Sequence, residues 1–155
     1  MGSIALFGCA APVDHAPAEM VAFRKNGVDY QWALIHGSGG SLTLVRMNGV
    51  GGGTPQALIS CDDRERGGMQ FRGDLAHAGT VSISTPDARF AVEATPRDGF
   101  DTPVVQGEGR FPSGWFRALA GTDVVTFASG DRVFDVPAPG APAVEHYERY
   151  CRRLS

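Results

Sequence analysis

The chain has 155 residues, a hydrophobic fraction of 43% and a net charge of −3, which fits one domain large enough to bury its own core. Seventeen acidic residues against fourteen basic ones leave no basic stripe to gather phosphates, so the balance argues against a nucleic-acid-binding protein. No apolar run reaches the ~18 residues that a membrane-spanning helix needs.

Glycine and proline supply 21 and 10 residues, well above the roughly 12% of average usage, so many turns and few long helices are expected. Residues 10–18, with Pro12 and Pro17, read as a tether or irregular lead-in, and residues 1–18 as a whole as a signal remnant or lead-in. A single β-rich domain is expected over 19–155. Val28, Tyr30, Trp32 and Leu34 alternate with polar or small neighbours, the mark of a half-buried strand. Gly37-Ser38-Gly39-Gly40 predicts a turn, and 42–47 its hairpin partner. Gly49 to Gly53 with Thr54-Pro55 predicts a flexible loop before a strand carrying Ala57, Ile59 and Cys61. Met69 and Phe71, Val81 and Ile83, then Phe90, Val92 and Ala94 continue the period of two, with Pro86-Asp87 and 95–99 as turns. Residues 104–111 read as a glycine-broken strand, on an edge or bulged.

The texture then changes. Residues 113–120 predict a short helix capped by Ser113 and Gly121, with Trp115, Leu119 and Phe116 toward the core. Two strands flank Ser129-Gly130-Asp131, a tight hairpin signal. Near 141–154, Val144, Tyr147, Cys151 and Leu154 recur at helical spacing with charged residues opposite, which predicts an amphipathic C-terminal helix. The fold class expected is mainly β, with a minor α contribution: an antiparallel sandwich or small barrel.

Leu6-Phe7-Gly8-Cys9 resembles the lipobox of bacterial lipoproteins, with an aliphatic residue three before a cysteine and a small residue just before it. Phe7 departs from the pattern, and a basic start with most of an apolar signal is missing, so the resemblance implies a truncated precursor or a mis-set start. It also implies lipid on Cys9, export to the periplasm or outer envelope, and membrane contact only through that anchor. With Cys9 so used, Cys61 and Cys151 remain as an even pair, and a bond between them would staple the last helix to the sheet. The alternatives are a buried Cys9 in a first strand and three unrelated reduced thiols.

No motif carries specific catalytic spacing. Ser38 lies between glycines, but a nucleophile elbow needs glycine two residues before the serine, where His36 stands. Residues 49–54 lack the Gly-Lys-Ser/Thr end of a phosphate loop. Asp74 and His77 share one neighbourhood and, with His36 and Ser38, are the candidates for loop-borne acid–base or nucleophilic chemistry. No Cys/His grouping has metal spacing, and no cofactor is expected. Phe111, Trp115 and Phe116 flank Pro112 and a broken strand and are the candidate binding patch. The reading expected from these features is an exported, non-enzymatic binding or envelope-associated domain with a protein or glycan partner. Its alternatives are a small hydrolase using the loop residues and a cytosolic structural or assembly β-domain.

Overall fold

The computed structural model describes residues 21–35, 40–49 and 51–154. The expected lead-in over 1–18, the lipobox cysteine Cys9, and His36 and Ser38 therefore lie outside the described residues.

Two strands, β1 (Ala22–Lys25) and β2 (Val28–Ile35), open the described chain. They are joined by Asn26-Gly27, both at positive φ (52° and 78°). This two-residue turn matches the right-handed twist of the strands it links. Strands β3 (Ser41–Met47) and β4 (Gly53–Cys61) follow. Strand β4 starts inside the expected loop because a register shift between Leu44 and Val45 of β3 accommodates Pro55 opposite Val45. Next come β5 (Arg66–Arg72), a 3₁₀ turn (Gly73–Leu75), β6 (Gly79–Ser84), β7 (Arg89–Pro96) and β8 (Val104–Arg110). The chain ends with helix α1 (Trp115–Ala120), the hairpin β9 (Val124–Ser129) and β10 (Arg132–Pro137), and helix α2 (Ala141–Arg153).

The ten described strands pair antiparallel in the order β10-β9-β6-β7-β8-β5-β4-β3-β2-β1. The sheet curls into a nearly closed barrel. Side chains join its two ends: the Trp32 indole N–H donates to the Pro137 carbonyl at 2.8 Å, Tyr30 meets Phe134 edge-on at 5.7 Å, and the Lys25 ammonium lies 5.3 Å from the centre of the Phe134 ring. Of the two expected architectures, this is the barrel side of the choice. The inward set is the one that alternation marks out: Trp32, Leu44, Ile59, Phe71, Val81, Ile83, Phe90 and Phe127 are all buried. Phe127 touches both Trp32 and Phe71 across the interior, at 6.1 and 5.8 Å, so side chains fill the barrel.

Strand β8 corrects the expectation of an edge. It lies in the middle of the sheet, paired to β5 along its whole length and to β7 at Val105 and Gln106. Its glycines mark close approach. A Cβ on Gly107 would collide with the Glu93 carbonyl oxygen, and one on Gly67 of β5 with the Ser60 carbonyl and the Phe111 ring. Two further details differ at the helices. Gly114 in the left-handed region, not Ser113, precedes α1, since φ of 71° suits a residue without Cβ. Leu154, expected on the inward face, caps the C-terminal end of the helix and is 42% exposed.

Helix α2 packs its buried residues Ala143, Val144, Tyr147 and Cys151 toward the sheet and α1. The expected Cys61–Cys151 disulfide is present, with Cα atoms 5.8 Å apart and the partners 90 positions apart in sequence. It fixes the helix to the end of β4. A loop of that length gives about 4 kcal/mol in the chain-entropy account. The double substitution Cys61→Ser with Cys151→Ser is expected to lower the urea unfolding free energy by that order, and an unchanged midpoint would contradict it. Gly107→Ala is expected to cost about 2 kcal/mol through overpacking against a backbone oxygen. The same urea titration measures it.

Candidate functional site

Strand β8 runs out of the sheet at Arg110, and the inward alternation carries on into Phe111. The Phe111 N–H donates to the Glu65 carbonyl at 2.8 Å, which ties this exit to the turn between β4 and β5. Asp63 sets the shape of that turn. Its carboxylate accepts the N–H groups of Glu65 and Arg66 at 2.7 and 2.9 Å. These bonds hold its carboxyl below the ordinary value, with smaller help from the Arg66 and Arg110 charges. The result points Arg64 and Glu65 to one side of the domain, beside Arg110.

Beneath them lies an aromatic cluster. Phe111 packs edge-on to Phe90 at 4.9 Å and to Phe116 at 5.3 Å, stacks on Trp115 at 6.4 Å, and Phe116 reaches Tyr147 of α2 at 5.8 Å. Helix α1 is short, but it sits on this cluster, with Trp115 and Leu119 buried. Between α1, α2 and the turn at 62–65 opens a groove of about 790 Å³. Phe111, Trp115, Phe116 and Val144 form its apolar part; Arg64, Arg110, Arg117, Arg152 and the carboxylates Glu65, Glu145 and Glu148 surround it. Two ion pairs lie in this ring, Arg110–Glu65 at 3.2 Å and Arg152–Glu148 at 3.0 Å. Both are solvated and contribute at most about 1 kcal/mol each.

The aromatic triad expected as a patch thus does line one groove, but it is not an exposed patch. Trp115 is 1% and Phe111 7% exposed, because both complete the core where the strand breaks. Phe116 alone of the three is half-buried. The arginines and glutamates around them were missed in sequence, since they come from four separate segments. The signal available was the crowding of arginine near 64, 110, 117 and 149–153 in a chain with a single lysine, Lys25.

Asp74 and His77 lie at the opposite end of the barrel from the helices, on the segment after β5. They come together, though not as an acid–base pair. The His77 ring nitrogen Nε2 lies 3.1 Å from the main-chain oxygen of Asp74. The His77 backbone N–H donates to the buried Ser129 hydroxyl, which itself donates to the Leu75 carbonyl at 2.5 Å. This serine is spent on fastening a turn. Neither Asp74 nor His77 lines the groove. Among the described residues no group of three or more His, Cys, Asp or Glu is placed to hold a metal ion.

Two buried polar atoms near the cluster have no hydrogen-bond partner among the described residues, Trp115 Nε1 and the Tyr147 hydroxyl. Burial pushes the Tyr147 hydroxyl well above its ordinary value of 10.0, and the Asp62 charge adds to the rise. A raised value means that Tyr147 contributes its full stability below pH 10.0 and loses it as the unfolded chain ionises above. Tyr147→Phe removes an unsatisfied buried hydroxyl. It is therefore expected to raise stability by about 1 kcal/mol at neutral pH and to flatten the fall of stability above pH 10.0, as followed by thermal melts across pH. A loss of stability in this variant would show that the hydroxyl has a partner.

Comparison with protein-family models, with curated proteins and with solved structures finds no match to this chain.

Proposed function

We propose that the chain is an exported domain of the bacterial envelope that binds a partner through the groove between α1 and α2, without chemistry of its own. The observation that carries this reading is the groove itself. It is built from both helices and the β4–β5 turn, and one wall is covalently fastened to the sheet by Cys61–Cys151. A fastened wall keeps a recognition surface in shape, which cuts the ordering cost of association. The bond is compatible with an oxidising compartment, as disulfides persist there and are rare where glutathione keeps thiols reduced. The lipobox resemblance at Leu6 to Cys9 supports a periplasmic or outer-envelope location, with lipid on Cys9 as the anchor.

A binding reading also gives the aromatics a role that a hydrolase reading does not. The groove joins apolar floor and charged rim, the ordinary anatomy of a recognition site. At the far end His77 is held through its backbone N–H and one ring nitrogen, and Asp74 meets that ring with its main-chain oxygen rather than its carboxylate.

Three measurements in the native bacterium test the proposal. Alkylation of the denatured protein is expected to find Cys61 and Cys151 oxidised, and fractionation to find the chain with the envelope. A photo-crosslinking residue in place of Phe116 is expected to trap a partner, whereas one in place of Val133, 68% exposed on β10, is not. Free thiols at both positions in a cytosolic fraction would defeat the export half. Equal trapping from both positions would defeat the groove.

A further inference from the structure

The groove at Phe116 adjoins a smaller cavity of about 320 Å³ on the outer side of α2, lined by His146, Arg149, Arg152 and Arg153. Arg152 belongs to both. The two cavities together gather six of the chain's fourteen basic residues, Arg64, Arg110, Arg117, Arg149, Arg152 and Arg153, against the three glutamates at 65, 145 and 148. The residues lining the two cavities thus carry a net +3, and Asp62 and Asp63 of the same turn bring the neighbourhood to +1, on a chain of −3. The arginines are gathered in space, though not in sequence.

The helix dipole accounts for only part of this. Arg152 and Arg153 occupy the last turn of α2, where a cation is favoured. Arg64 and Arg117 stand on other elements, and no described carboxylate lies within ion-pair distance of either, or of Arg149. Their guanidinium forks are exposed on two sides of an apolar floor. Such forks match carboxylates two bonds at a time.

Resting on the groove as the binding surface, we infer that its occupant is an acidic polypeptide segment of a partner protein, carrying apolar side chains between its carboxylates. The carboxylates meet Arg64, Arg117 and the Arg149–Arg153 face, and the apolar side chains meet Phe116, the half-buried aromatic of the groove. Arginine clusters reading acidic motifs are a recurring mode of peptide recognition. A sugar needs an open aromatic face on which to stack, and Trp115, at 1% exposure, offers none. A bilayer surface is flat, so its headgroups meet the rim but leave the recessed apolar floor unused.

Fluorescence anisotropy tests this with a fluorescein-labelled short peptide alternating glutamate with leucine and phenylalanine. Its glutamine-for-glutamate counterpart and vesicles containing phosphatidylglycerol serve as the other probes. The acidic peptide is expected to bind, to weaken with added salt, and to lose about tenfold in affinity to the double variant Arg64→Glu with Arg117→Glu. Both positions are exposed, so the variant is expected to keep its melting temperature. Equal binding of both peptides, or an unmoved affinity in a folded double variant, overturns the acidic chemistry. Binding to vesicles but not to the peptide assigns the cations to a membrane surface instead. No binding of the acidic peptide by the native protein also overturns the inference. The crosslink from Phe116 judges the groove itself separately.

Discussion

An antiparallel sheet with one apolar face must hide that face, and in this protein it does so by curling until its described ends nearly meet. The indole N–H of Trp32 bonded to the Pro137 carbonyl sits at that seam. Its ring lies against Phe127, which in turn meets Phe71 from the far wall. Seam and core are therefore the same set of side chains. A sheet so closed leaves two open ends, and what covers them decides the rest of the molecule. One end is covered by the segment around Leu75, bonded through the Ser129 hydroxyl. The other is covered by the two helices.

The helical end is where the core and the groove meet. Phe90, Phe111 and Trp115 continue the core beyond the last strand pairs, so α1 needs little intrinsic stability of its own. Helix α2 is held by the Val144 and Tyr147 faces and by the bond from Cys151 to Cys61. With both helices fixed, the space between them and the 62–65 turn stays open as a groove. The arginines around it gain no burial and little from ion pairing.

This arrangement also explains the glycines of β5 and those that break the strand reading of β8. Gly67 and Gly107 face carbonyl oxygens of neighbouring strands and, at Gly67, the Phe111 ring. A side chain at Gly67 would push out the aromatic that floors the groove. What reads in sequence as weakness in a strand is the room that the cluster needs.

The sequence by itself determined the local elements and their buried faces. Alternation at Trp32, Phe71, Ile83 and Phe90, the tight turn at Ser129 to Asp131 and the spacing of Val144, Tyr147 and Cys151 each report on neighbours a few residues away, where the pattern is set by backbone geometry. Cysteine parity, given the lipobox resemblance, reached further and named the Cys61–Cys151 bond that the structure contains. The first hairpin was legible too, in Asn26-Gly27, though not read from it. Only the tertiary structure decided the rest. Strand order put β8 at the centre of the sheet, and closure chose barrel over sandwich, because both depend on pairings between segments far apart in the chain. The same holds for the site. Phe111, Trp115 and Phe116 drew notice as a local oddity. Their burial, and the ring of arginines from 64, 110, 117 and 152, exist only once four segments meet at one end of the barrel.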